Sequence, residues 1–75
     1  MPDLKELDLK GMVCPEPLLR VRNRIRELDS GDLLRVEATD STTKRDFSNF
    51  CHHMRHRLEE CREQDGVIYF RIRKG

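Results

Sequence analysis

The chain has 75 residues, enough for one domain spanning residues 1–75 and too few for two, so chemistry is expected at its surface with a partner protein completing any site. Lys and Arg number 15 against 14 Asp and Glu, a net charge of +1, which excludes a global field drawing the chain toward nucleic acid or an anionic membrane. Charged residues make up 39% of the chain and apolar ones 36%, but the apolar residues recur in periodic clusters, which argues against disorder.

Met1 to Glu6 carries no apolar leader, and no apolar run approaches membrane length, so a cytoplasmic protein with no membrane contact is expected. Three cysteines, Cys14, Cys51 and Cys61, cannot all pair within one chain, and a reducing compartment leaves them as free thiols.

Leu7 and Leu9 alternate with Glu6, Asp8 and Lys10, the pattern of a short half-buried strand that Gly11 ends. After Met12 and Val13 comes Cys14-Pro15-Glu16-Pro17, then a helix to about Leu28 with Leu18, Val21, Ile25 and Leu28 as its apolar stripe. Asp29-Ser30-Gly31-Asp32 reads as a turn, with Gly31 in the left-handed position after a helix. Leu34, Val36 and Ala38 form a second alternating strand. Asp40-Ser41-Thr42 offers side-chain oxygens to cap a second helix, whose expected core face is Phe47, Phe50, Cys51, Met54 and Leu58. A third strand near Glu59–Gln64 and a fourth over Val67–Arg73 are joined by Asp65-Gly66, a strong two-residue hairpin signal. In the last strand Ile68, Phe70 and Ile72 share one face, and Tyr69, Arg71 and Arg73 the other.

The order β-α-β-α-β-β, with one apolar stripe per helix, predicts an α+β fold: a two-layer sandwich with a four-stranded mixed sheet and two helices on one face. A right-handed crossover makes the first two strands parallel, and the final hairpin is antiparallel.

Pro15 and Pro17 lack amide hydrogens and are tolerated only in the first helical turn, which puts Cys14 at or near the N-cap. There the helix dipole and any free amides of that turn favour a thiolate or persulfide anion, while the charge of Glu16 opposes it. The alternative is that Cys14 is a small residue packed beneath the helix. These residues, with Asp8-Leu9-Lys10-Gly11 ahead of them, resemble the signature of the TusA sulfur-carrier family. The resemblance continues through Arg45-Asp46, Phe50-Cys51, Met54 and His56 to Arg71-Ile72-Arg73-Lys74-Gly75.

That resemblance implies the same sandwich fold and a carrier function. A cysteine desulfurase would load Cys14 as a persulfide, and a downstream sulfur-transfer protein would unload it by thiol exchange without a cofactor. In the best-known branch the sulfur reaches a tRNA wobble uridine as its 2-thio group. Other branches serve molybdenum-cofactor supply or sulfur oxidation, and a regulatory or interaction module of the same fold is a further alternative. Pro15, Glu16 and Pro17 would support the presentation of Cys14.

Other candidates have plainer readings. Cys51 shares the stripe of Phe47 and Met54 and is expected to face the sheet as a small hydrophobe, which disfavours a Cys14–Cys51 disulfide. Cys61 is expected to be an incidental strand residue. His52, His53 and His56 invite a metal site, but on one helix they would lie opposite Cys51, so no metal is expected. Arg20, Arg22, Arg24 and Arg26 crowd the first helix, with Arg22 and Arg26 expected beside Leu19; they suit docking of an acidic partner. Direct nucleic-acid contact is not expected, because there is no exposed aromatic platform. Asp46 is expected only to complement the second helix's N-terminus. A carrier of this size works as a monomer.

Overall fold

The structure, a computed structural model, describes residues 4–75. Strand β1 (Leu4–Leu9) leads into helix α1 (Glu16–Arg26), then β2 (Leu33–Ala38), α2 (Thr43–Met54), β3 (Arg57–Gln64) and β4 (Val67–Arg73). One four-stranded sheet has the order β1-β2-β4-β3. Strands β1 and β2 are parallel, while β4 runs antiparallel to both β2 and β3. This is the two-layer α+β architecture read from the sequence.

The core lies between the sheet and the helices. Val21 and Ile25 from α1 and Phe47 and Cys51 from α2 are buried against Leu9, Leu34, Val36, Ala38, Ile68, Phe70 and Ile72. The rings of Phe47 and Phe70 meet edge to face with centroids 4.6 Å apart. The sheet's other face is solvated and latticed by charge: Arg71 bridges to Glu59 and Glu60 at 3.4 and 3.5 Å, and Arg62 lies 4.4 Å over the Tyr69 ring.

Four expectations are corrected. Helix α1 stops at Arg26, two residues early; Leu28 is still buried, carried inward by the turn that follows. Helix α2 stops at Met54 because Arg55 takes a left-handed conformation (φ 60°), so Met54 is 58% exposed and Leu58 belongs to β3. Leu58 still packs on the core from the strand, and Phe50 is half-buried. Strand β3 begins at Arg57 and carries a bulge between Leu58 and Glu60, so its alternation is broken.

The Asp40-Ser41-Thr42 segment does not cap α2 through a side chain. Asp40 instead accepts bonds at Oδ1 from the amide and hydroxyl of Thr42, and its backbone carbonyl accepts from the Thr43 hydroxyl. Its other carboxylate oxygen reaches the segment carrying Cys14. The expected turns do form: Gly31 has φ 93°, and Asp65 and Gly66 are both left-handed, as a two-residue hairpin of this twist requires.

Candidate functional site

Cys14 is exposed and lies one residue ahead of Pro15, the N-cap of α1, while Glu16 and Pro17 open the helix. The Cys14–Pro15 peptide is cis. The Cys14 amide donates to Asp40 Oδ2 at 2.8 Å, so the connection after β2 pins the backbone of the sulfur-bearing residue. Those donated hydrogen bonds, first from Thr42 and then from Cys14, hold the Asp40 carboxyl below the usual carboxylate range. Pro17 is buried under the helix start and fixes it from below.

The thiol itself faces a carboxylate: Cys14 Sγ donates to Asp46 Oδ2 at 3.7 Å. Asp46 lies in the first turn of α2, where it also complements the helix dipole. The sequence reading expected free amides near the sulfur and opposition from Glu16, and the structure arranges this differently. Pro15 and Pro17 have no amide hydrogen, and the Glu16 amide donates to the Val13 carbonyl at 3.0 Å, so the helix start offers the sulfur few donors. Glu16 pairs with Arg20 at 3.6 Å, and Asp46 is the acid in contact with the thiol.

Asp46 is also one wall of a groove of about 560 Å³ between α1 and α2. Leu18, Ile25, Phe50 and Met54 supply its apolar lining, with Arg22 and Arg26 beside them. The four arginines of α1 therefore divide. Arg22 and Arg26 share the groove with Leu18, while Arg20 pairs with Glu16 and Arg24 with Glu27 at 3.2 Å. The thiol thus touches Asp46, one wall of an apolar groove edged with positive charge.

The other thiols are placed differently. Burial pushes the Cys51 thiol up to about 11, as befits a core residue facing the sheet. Cys61 is exposed on β3. His52 and His53 are exposed, but His56 is not on the helix with them. It follows the left-handed Arg55, its ring lies 5.5 Å from that of Phe50, and its Nδ1 accepts the Gly75 amide at 3.0 Å. Among the described residues no group of three or more His, Cys, Asp or Glu side chains converges to hold a metal ion.

Asp40 and the contact made by Asp46 escaped the sequence reading, because they lie 26 and 32 residues from Cys14. The only available signal was the Arg45-Asp46 pair, whose spacing matched a family pattern without saying what it touches.

Comparison with known proteins adds a second line. A sequence model of the family described as sulfurtransferase TusA matches residues 5–74. The sulfur carrier protein TusA of Pseudomonas paraeruginosa is 44% identical over 68 residues, which cover 91% of this chain and 86% of that one. Its counterpart in Pseudomonas fluorescens is 43% identical over 75 residues, all of this chain and 90% of the relative. The crystal structure of a SirA-like protein from Desulfitobacterium hafniense superposes with a TM-score of 0.84 at 27% identity, covering 97% of this chain and 99% of the other.

Proposed function

The chain belongs to the TusA sulfurtransferase family, and from that premise we propose that it carries sulfur as a persulfide on Cys14. One observation supports this above the rest: Cys14 is an exposed thiol pinned through its own amide and in contact with Asp46, which lines a groove that would receive a partner. Loading is a thiol exchange. The Cys14 thiolate attacks the terminal sulfur of a persulfide on a cysteine desulfurase; a new S–S bond forms, the donor's S–S bond breaks, and the donor thiolate leaves. Unloading repeats the step in the other direction, with the cysteine thiolate of a downstream sulfur-transfer protein taking the terminal sulfur from Cys14. Neither step changes the net redox state of the pair, and neither needs a cofactor.

The apolar groove would seat a partner segment, while Arg22 and Arg26 steer an acidic surface toward it. Pro15, Glu16 and Pro17 set the direction in which the thiol points. The carrier acts as a cytoplasmic monomer, and the sulfur it delivers is destined for 2-thiolation of a tRNA wobble uridine.

The test is intact-protein mass after incubation with a cysteine desulfurase and cysteine. Wild type should gain one sulfur, removable by reductant, and Cys14→Ser should gain none. A gain that persists in the variant would assign the sulfur to another cysteine. Charge reversal of the groove edge by Arg22→Glu with Arg26→Glu should slow loading about tenfold without changing the melting temperature. Loading at the wild-type rate would remove the arginines from docking.

A further inference from the structure

The strand register gives the sheet two distinct ends. Leu9, Ala38, Ile68 and Glu63 stand together at one, and Cys14 follows Leu9 on that side. Leu33, Arg73 and Arg57 are in register at the other. At this second end, below the C-terminus of α2, lies a cleft of about 550 Å³ whose lining includes Arg55, His56, Arg57, Arg73, Lys74 and Gly75, with His52 and Cys51 beside them; no acidic side chain lines it, although Glu59 bonds Arg73 from outside. In a chain of 15 bases and 14 acids, that is a strong local excess of positive charge.

Two of these cations are already engaged. Arg73 bonds Glu59 at 2.6 Å and the Gly31 carbonyl at 3.0 Å, and the Lys74 ammonium is held by the Leu28 carbonyl. Arg55 and Arg57 form no salt bridge among the described residues, although Arg57 lies within the longer-range field of Glu59. Arg55 sits in the left-handed turn that ends α2, so its backbone position is fixed by the fold.

We infer that this cleft binds a short acidic segment of a partner protein, gripped by Arg55 and Arg57 within the field of Arg73 and Lys74. A guanidinium presents a planar fork that matches a carboxylate with two parallel hydrogen bonds, and two such forks stand free here. The same forks fit phosphate, but two features favour a peptide over a nucleic acid. The only rings lining the cleft are the imidazoles of His52 and His56, and these already lie against His53 and Phe50, so the Phe, Tyr or Trp platform that stacks bases is missing. Four of the 15 bases line the cleft, leaving 11 against 14 acids over the rest of the chain, a net negative balance that does not favour a long polyanion. A few carboxylates held within the cleft stay inside the screening length of about 8 Å at physiological salt. The cleft adjoins the groove between α1 and α2, with which it shares His56 and Lys74, and Cys14 is not among its lining residues.

The experiment is fluorescence anisotropy of the full chain with a fluorescein-labelled hexaglutamate peptide. Saturable binding that weakens with salt is expected. Affinity should fall about tenfold or more in Arg55→Asn with Arg57→Gln, because two charge-assisted contacts are lost. Asn is chosen at position 55 because it accepts the left-handed conformation. Melting temperature and sulfur loading of Cys14 should match wild type. Should the double variant melt early, Arg57→Glu alone, at an exposed strand start, should show the same loss. Absence of saturable binding by wild type, or unchanged affinity in both variants, would overturn the proposal. So would a uridine-rich RNA oligonucleotide that displaces the peptide and binds more tightly, which would make the cleft a nucleic-acid site.

Discussion

Asp46 and Cys14 place a carboxylate 3.7 Å from the sulfur, and the charge on that carboxylate opposes negative charge on its neighbour. Asp46→Asn keeps the volume and removes the charge. In a Cys61→Ser background, alkylation of Cys14 by iodoacetamide at neutral pH should accelerate by about threefold to tenfold. An unchanged rate would mean that the carboxylate does not govern the sulfur. Cys51 stays silent in that assay, because burial has pushed its thiol to about 11. A second residue-scale effect belongs to His56. Burial, and then the charge of Lys74, hold it below the ordinary histidine value of 6.5. The unfolded chain therefore takes up this proton at a higher pH than the folded one. The stability it contributes is complete above about 6.5 and is lost as pH falls through the folded value. The Gly75 amide bonded to Nδ1 gives the same sign, since a protonated ring cannot accept it. Melting temperature should fall between about pH 7.5 and 5.5, and His56→Gln should flatten that slope.

At the scale of elements, the hairpin and the helix starts were legible because they rest on residues with few options. Asp65 and Gly66 are both left-handed, and Gly66→Ala should cost about 1–2 kcal/mol in a urea titration, since a Cβ there is strained even in open space. A cost near zero would mean that the turn relaxes to another type. The prolines fixed the start of α1 for the same reason. The end of α2 was not legible. Phe47, Cys51, Met54 and Leu58 keep helical spacing past the real boundary, and the stop is made by Arg55, a residue type that gives no such signal. The start of β3 hid for a related reason: the strand was legible near Glu59–Gln64, but Arg57 and Leu58 precede the bulge at Glu59 and break its alternation. The sulfur site divides in the same way. Cys14 and its prolines are local and visible, whereas Asp40 and Asp46 reach it only through the tertiary fold.

For the whole molecule, a chain of 75 residues has about 4–11 kcal/mol of stability at the usual figure per residue. Phe47 is fully buried against Phe70, and Phe47→Ala should remove about 3–5 kcal/mol, a large share of that total. Loss of near-ultraviolet ellipticity together with a collapsed urea midpoint would show it; a midpoint within about 0.5 M of wild type would not. Sheet order is the global feature that pattern alone left open. The Asp-Gly turn requires β3 beside β4 but does not say which lies against β2. Burial decides it, because Ile68, Phe70 and Ile72 can fill an inner strand while the charged β3 is suited to an edge.

That order has a consequence for how the protein is made. The last strand in the chain, β4, sits between β2 and β3 and supplies three buried side chains. While residues 67–73 are still inside the ribosome, β2 has lost its partner on one side, β3 has none, and Phe47 has no ring to meet. The nascent chain therefore has no stable partial sheet to rest in, and the sheet closes in one all-or-none event once β4 is free to insert.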